Sequence, residues 1–281
     1  MKEKDLAKEK DLDRYLNHRL SHPGQDIALL LVHPLGGSLA FWDECVALWK
    51  THSCLAVDLR CAGASPGAEG ALNLATHIED LKDLLNHLAI GRVVAVGCAL
   101  GSLVAVGFAA QYSDRVEALV LANPEIRLSE ASRRSLRQRA ALIRADGMAG
   151  LLPEAVDRIF SGLAHDERYI RYRREFADLD PESHARSILG LVDADVTAQI
   201  AKVRCPALLL PAEHDIFGPP ANVPEIAKLF SDAETRILHG ASHFGPFQAP
   251  AAFAAAVEDF IARRLATYLS GQFGNGTGAA K

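Results

Sequence analysis

Short apolar runs recur along this chain and are separated by segments with helical periodicity. The runs cover residues 27–32, 54–57, 93–96, 119–121 and 207–210, with a weaker sixth run at 236–238. Continuous apolar runs of this length are typical of strands that are buried on both faces of a sheet. The intervening segments, such as 41–50 and 78–88, repeat apolar residues at helical spacing. The pattern therefore predicts an α/β architecture, a mostly parallel central sheet flanked by helices.

The alternation breaks after Pro124 and resumes at Cys205. Residues 126–200 contain only helical patterns, and we predict that they form a helical cap inserted between two core strands. The core then comprises residues 14–125 and 201–269, with an edge strand at 15–20, a helix at 103–112 and a last helix at 250–268. Residues 1–13 are expected to be a charged N-terminal extension, and the Gly-, Thr- and Ala-rich residues 270–281 a flexible tail.

Composition and charge limit the kinds of molecule that this protein is expected to bind. The chain has 281 residues, of which 49% are hydrophobic and 23% charged, and its formal net charge is −5. A negative balance argues against nucleic acid and acidic membrane surfaces as partners. No run approaches the ~18 apolar residues of a membrane helix, and the N-terminus lacks a signal-peptide pattern. We expect a cytoplasmic protein with a small-molecule substrate and leave its oligomeric state open.

A catalytic motif without its catalyst lies at residues 97–101. Gly97 ends an apolar run, Gly101 follows four residues later, and a helical segment begins at Leu103. This is the strand–turn–helix context of the Gly-x-Ser-x-Gly nucleophile elbow. The central position, however, is Ala99. The neighbouring Cys98 is expected to be buried and inert rather than reactive, because cysteines are among the most buried residues.

Two loops are candidates for an oxyanion hole. One is the stretch from His33 to Gly37, which directly follows the first apolar run; the other is the elbow itself. We expect the backbone N–H groups of Leu35 and Leu100 to point into one site, where two such donors would stabilise the oxyanion of a tetrahedral intermediate. Neither donor depends on the missing serine.

The order of the remaining polar residues fits the same chemistry. Asp215 follows the run at 207–210, and His243 lies in the loop after 236–238. Nucleophile, acid and histidine thus come in the order 99, 215, 243, the order of Ser…Asp…His hydrolases on this architecture. His243 would act as base, and Asp215 would orient its imidazole. Glu125, just after another run, is a rival acid, and His214 is expected to be a bystander.

The chain resembles the α/β-hydrolase fold family from residue 15 to 268, and within it the 3-oxoadipate enol-lactonase group. The resemblance is carried by residues 35–43 (LGGSLAFWD), 58–65 (DLRCAGAS), 145–149 (ADGMA) and 193–195 (DAD). It implies opening of a small anionic enol-lactone by Ser, His and Asp without a cofactor. Related esterases and carbon–carbon hydrolases share much of this pattern. Two departures are Ala99 in place of serine and His33-Pro34 in the oxyanion loop.

Several residues are candidates for substrate contact. His33, Gly36 and Trp42 are predicted to bind substrate, although a structural role for His33 and helix packing for Trp42 are alternatives. The cap arginines form either a solvated helix face or, if one turns inward, a carboxylate site. These arginines are Arg133, Arg134, Arg137, Arg139 and Arg144. No metal, nucleotide or flavin is expected, because residues 97–101 lack the Gly-x-Gly-x-x-Gly pattern and the five scattered cysteines form no Cys-x-x-Cys pair.

The sequence leaves the meaning of Ala99 open. One explanation is a Ser→Ala substitution in an ester or lactone hydrolase. A second is cofactor-free chemistry with His243 and Asp215 as general base, and a third is a non-catalytic relative that kept the pocket to bind a ligand. Carbon–carbon or amide hydrolysis of an aromatic ring-cleavage product is a further enzymatic alternative.

Overall fold

The computed structural model describes residues 14–67, 70 and 72–272, with side chains up to residue 265. The predicted N-terminal extension and most of the predicted tail lie outside this range. The strands are β1 (His18–Ser21), β2 (Ile27–Val32), β3 (Ser53–Val57), β4 (Arg92–Cys98), β5 (Val116–Ala122), β6 (Ala207–Leu210) and β7 (Ala233–Thr235). The α-helices are α1 (Asp43–Leu48), α2 (Leu74–His87), α3 (Leu100–Gln111), α4 (Glu130–Asp146), α5 (Glu154–Ile159), α6 (Glu167–Ala177), α7 (Pro181–Leu191), α8 (Val223–Ala227), α9 (Gly245–Gln248) and α10 (Pro250–Gln272).

The strands form one sheet in the order β1-β3-β2-β4-β5-β6-β7. Only the pairing of β1 with β3 is antiparallel among the described strands. The predicted α/β architecture is confirmed. Apolar side chains of the central strands are buried on both faces of the sheet, which is why those strands read as continuous apolar runs.

The carboxyl ends of β4, β5 and β6 meet at one edge, because parallel register aligns them. Cys98 of β4 pairs with Ala122 of β5, and Ala122 in turn pairs with Leu210 of β6. The residues that follow these strands are therefore neighbours in space. In open parallel sheets this edge is where ligands bind.

Four predicted boundaries were wrong. The helix predicted at 103–112 begins at Leu100 and ends at Gln111. The last strand is Ala233–Thr235 rather than 236–238, because Ile237 is 49% exposed and Leu238 forms only an isolated bridge to Ala212. The first strand lies at His18–Ser21 rather than 15–20. The last helix continues to Gln272, four residues past the predicted end at 268.

Four α-helices, α4 to α7, lie between β5 and β6, in the segment predicted to form a cap. Helix α6 packs on the core through aromatic rings. Its Tyr172 and Phe176 are buried, and the ring of Tyr172 makes edge-to-face contacts with the rings of Phe244 and Phe247. Within the described residues, no helix has the length and apolarity needed to span a membrane.

Candidate active site

The elbow turn is present although its central side chain is a methyl group. Ala99 has φ 48° and ψ −120°, a strained conformation for any residue with a Cβ. A Cβ at Gly97 would lie 2.5 Å from the carbonyl oxygen of Gly101, and a Cβ at Gly101 would lie 2.6 Å from the oxygen of His33. Both glycines are therefore required by close backbone contacts. Strain of this kind is worth about 1–3 kcal/mol and is typically retained at functional sites.

Backbone hydrogen bonds hold the elbow against the neighbouring strand. The N–H of Ala99 donates to the carbonyl of Ala122 at 3.0 Å, and the N–H of Ser102 donates to the carbonyl of Ala99 at 2.8 Å. Cys98 faces the hydrophobic core and is fully buried. Burial raises the pKa of its thiol well above the usual range, so the thiolate needed for reactivity is disfavoured.

His33 fixes the loop predicted to supply the second oxyanion donor. Its Nε2 accepts from the N–H of Leu59 at 3.0 Å, so the ring proton is on Nδ1, which donates to the carbonyl of Pro34 at 2.8 Å. Burial lowers the pKa of this imidazole, which keeps it neutral. Because both ring nitrogens are used within the protein, the geometry favours the structural role for His33.

Asp58, at the end of β3, anchors the same region and was not singled out from the sequence as a site residue. Its buried carboxylate accepts from the backbone N–H groups of Leu39 and Ala64, at 2.6 and 2.9 Å, and from the amide of Asn17 at 2.6 Å. These bonds join the loop after β2 to the loop after β3. The loop predicted to supply the second oxyanion donor is therefore held in place by both His33 and Asp58.

His243 and Asp215 form a hydrogen-bonded pair. The Nδ1 of His243 lies 3.1 Å from both carboxylate oxygens of Asp215, whose side chain is fully buried, while the His243 side chain is 17% exposed. Burial alone would raise the pKa of Asp215, but the hydrogen bond and charge interaction with His243 and donation from Asn123 and Phe217 lower it to about 2. The ionised carboxylate holds the Nδ1 proton of His243 and leaves Nε2 as the free ring nitrogen.

Asn123 is a further site residue that sequence reasoning missed. Its Nδ2 donates to Asp215 Oδ2 at 2.8 Å and to the carbonyl of Ser242 at 2.9 Å, and its Oδ1 accepts from the N–H of Gly245 at 3.0 Å. The residue has φ 49°, a left-handed conformation that asparagine tolerates better than most residues. No short motif marks it, since its partners lie far away in the sequence.

The rival acid Glu125 lies close to the pair but outside it. Its carboxyl lines a cavity of about 460 Å³ together with Arg127, Arg133 and Phe217. Burial, followed by the negative charge of Asp215, raises its pKa to about 7. Since Asp215 and not Glu125 bonds His243, Asp215 is the better candidate for the orienting acid.

These positions satisfy the requirements of one fold family. The family model described as the alpha/beta hydrolase fold matches residues 27–250. The chain belongs to the α/β hydrolase fold family. The elbow turn, Asp215 and His243 follow their strands in the order that the family uses for nucleophile, acid and histidine.

Similar proteins are named as hydrolases. The 3-oxoadipate enol-lactonase 2 of Acinetobacter baylyi is 26% identical over 255 residues, which cover 89% of this chain and 94% of that protein. RutD of Variovorax paradoxus, a proposed carbamate hydrolase, is 28% identical over 88% of this chain and 96% of its own length. Among solved structures, the enol-lactonase of Burkholderia xenovorans LB400 superposes with a TM-score of 0.82 at 27% identity and covers 88% of this chain and 96% of that one.

The other residues predicted to contact substrate lie in different surroundings. Gly36 has φ 77°, and its carbonyl accepts from the hydroxyl of Tyr172 at 3.3 Å. Together with His33 and Leu35 it lines a cavity of about 210 Å³. Trp42 is fully buried against aromatic core rings such as Phe253, which fits the alternative that this residue serves in packing rather than in substrate contact. Leu100 begins α3 directly after the elbow.

The cap arginines divide into two groups. Four of the five extend along the surface to carboxylates: Arg133 and Arg134 to Glu130, Arg137 to Asp193 and Arg144 to Glu182. Arg139 forms no salt bridge with any residue that the structure describes. Within the same residues, no group of three or more His, Cys, Asp or Glu side chains is arranged to hold a metal ion.

Proposed function

We propose that this α/β hydrolase binds a small carboxylic ester or lactone over the Ala99 elbow, with an anionic enol-lactone as the best single substrate class. The observation that carries the proposal is the Asp215–His243 pair, set at the same sheet edge as an elbow that stays strained without a nucleophile. The names of the enol-lactonase relatives support the substrate class. The N–H groups of Leu35 and Leu100 are assigned to the carbonyl oxygen of the substrate.

With serine at this position, the hydroxyl would attack the carbonyl carbon while His243 Nε2 took its proton. The methyl group of Ala99 forms no acyl-enzyme, so hydrolysis by this chain needs water as the nucleophile. His243 then accepts a proton from water, the water oxygen bonds to the carbonyl carbon, and the charge moves to the oxyanion. When this tetrahedral intermediate collapses, the ester bond breaks, and the leaving oxygen takes the proton back from His243. Sites that keep only the oxyanion hole and substrate binding retain about 10³–10⁴-fold catalysis over water.

A second candidate function is general-base chemistry without a nucleophile. It is favoured by the free Nε2 of His243, which faces no side-chain hydroxyl at position 99 and could accept a proton from a substrate carbon. The third alternative, a non-catalytic binder, predicts affinity without turnover even when serine is introduced. The three alternatives therefore differ in what the Ala99→Ser substitution does.

The test compares this chain with its Ala99→Ser variant on a panel of esters and lactones that includes 3-oxoadipate enol-lactone. We expect serine to raise kcat by several orders of magnitude, because losing a nucleophile removes a comparable factor. Adding His243→Gln to each protein is the control, and it should abolish the gain. If both proteins turn over nothing on the whole panel, ester and lactone hydrolysis is not the function of this pocket.

A further inference from the structure

Arg139 differs from the other cap arginines in where its guanidinium lies. The side chain is partly buried, and an Nη approaches His184 Nε2 at a long 3.5 Å. Its Nε, like that of Arg133, is buried without a hydrogen-bond partner in the described structure, but Arg139 also lacks the salt bridge that Arg133 forms. Its Cζ lies 5.1 Å from the ring centre of Phe176. Burial lowers the pKa of His184 to about 3, so that imidazole is a neutral acceptor and not an ionic partner.

An arginine in such surroundings is electrostatically costly. The guanidinium remains charged in proteins, and a partly buried charge without a counter-ion is unfavourable. Burial disfavours the charged form of Arg139 and lowers its pKa; Tyr172 opposes this shift, and the charge of Arg158 adds to it. Arg158 likewise has no carboxylate partner among the described residues, and its Cζ lies 4.9 Å from the ring centre of Phe217. Neither cation therefore has a carboxylate partner among the described residues.

One side chain separates each cation from the proposed catalytic groups. His184 and Phe176, which contact Arg139, also lie within 3.4 and 3.6 Å of the Cβ position of Gly36 in the oxyanion loop. On the other side, the ring of Phe217 beneath Arg158 lies 4.5 Å from the ring of His243. A ligand bound by these arginines would therefore be adjacent to both the oxyanion loop and the general base.

We propose that Arg139, assisted by Arg158, binds the carboxylate of the substrate, so that the cap selects anionic esters and lactones over neutral ones. The planar guanidinium fork of Arg139 matches a carboxylate, and a carboxylate would supply the acceptor that its buried Nε lacks. This inference rests on the proposed function, which places the ester group of the ligand over the elbow. It adds the residue that recognises the carboxylate at the opposite end of the ligand.

The absence of a nucleophile makes a direct binding test possible, because an ester is not consumed rapidly. Titration calorimetry would compare monomethyl adipate, which has one carboxylate, with dimethyl adipate, which has none. We expect the unmodified protein to bind the monoester about 10- to 100-fold more tightly, as charge-assisted hydrogen bonds imply. Arg139→Met keeps an apolar stem for packing on Phe176 and should remove this preference while leaving dimethyl adipate affinity within about twofold.

The matched control is Arg144→Met on the same helix, since Arg144 is exposed and paired with Glu182; it should leave both affinities unchanged. Arg158→Met, on an exposed side chain, provides a second variant and should lose part of the preference. If folded Arg139→Met keeps the full preference for the monoester, the inference is overturned.

A third probe separates this inference from the proposed function. If neither ester binds but adipate binds and Arg139→Met weakens it, the anion site stands and the ester function fails. If both esters bind equally well to the parent and to Arg139→Met, the ester function stands and the anion site fails. If adipate also fails to bind, the anion site is overturned.

Discussion

The side-chain amide of Asn123 donates a 2.8 Å hydrogen bond to the buried carboxylate of Asp215. The same amide donates to the carbonyl of Ser242, directly before His243, and accepts from the N–H of Gly245 directly after Phe244. One side chain at the end of β5 thus connects the acid loop with the histidine loop. The orientation of His243 depends on Asn123 as well as on Asp215.

Replacing Asn123 with alanine should weaken the Asp215–His243 pair. The substitution removes one donor to the Asp215 carboxylate and leaves the N–H of Gly245 unpartnered. We expect the pKa of Asp215 to rise from about 2 toward its ordinary value and the free energy of unfolding to fall by about 1–3 kcal/mol. Carbon-detected NMR titration of the carboxyl and chemical denaturation measure the two effects. Asn222→Ala is the control, because Asn222 makes no side-chain cap bond. Equal effects of the two substitutions would contradict the role of Asn123 in supporting the Asp215–His243 pair.

Gly101 should not tolerate a methyl group. A Cβ there would lie 2.6 Å from two backbone oxygens, those of Val32 and His33, which cannot move without displacing β2. We expect Gly101→Ala to lower the free energy of unfolding by about 2–4 kcal/mol. Gly107→Ala in the same helix is the matched control, since the added Cβ would contact the flexible Ile78 side chain at 2.6 Å. Urea denaturation measures the free energy of unfolding of both variants. A smaller loss for Gly101→Ala than for Gly107→Ala would contradict the elbow geometry.

Glu125 should make stability depend on pH. Its pKa is raised to about 7 in the folded protein from an ordinary 4.5, so the folded state holds the proton more tightly than the unfolded state does. The associated stability is fully present below pH 4.5 and is lost as pH rises through about 7. We expect the free energy of unfolding to fall by about 1–3 kcal/mol across this window relative to Glu125→Gln.

Denaturation of the parent and of Glu125→Gln at several pH values between 4 and 8 measures this difference. Glu225→Gln is the control, because Glu225 is exposed and paired with Lys228 at the surface; it should follow the parent. A Glu125→Gln profile parallel to that of the parent would show that folding leaves the pKa of Glu125 unchanged, which would contradict the prediction.

The central sheet and the elbow were predictable because their signals are local. Five buried strands appear as apolar runs, and Gly97 and Gly101 are required by contacts within a few residues or with the adjacent strand end. The pairing of Asp215 with His243 was predictable from their order after successive strands. The edge strand β7 was misplaced because partly exposed residues such as Glu234 carry no strong apolar signal.

The supporting residues could not be predicted in the same way. Asn123 bonds a residue 92 positions away, and Asp58 bonds one 19 positions away, so no spacing in the sequence connects them. Arg139 could not be separated from its four neighbours on the cap, because only packing in three dimensions shows which of them lacks a carboxylate partner. Such distinctions depend on tertiary contacts, which periodicity does not encode.

The most direct test of the central claim is covalent labelling at position 99. The claim is that the elbow, His243 and Asp215 form a site in which a hydroxyl at this position becomes nucleophilic. Ala99→Ser, the parent and Ala99→Ser with His243→Gln would each be treated with a fluorophosphonate and analysed by intact-mass spectrometry. We predict one adduct per chain in Ala99→Ser alone, located on the peptide that contains residue 99. Labelling of Ala99→Ser no faster than that of the parent's own serines would contradict the account.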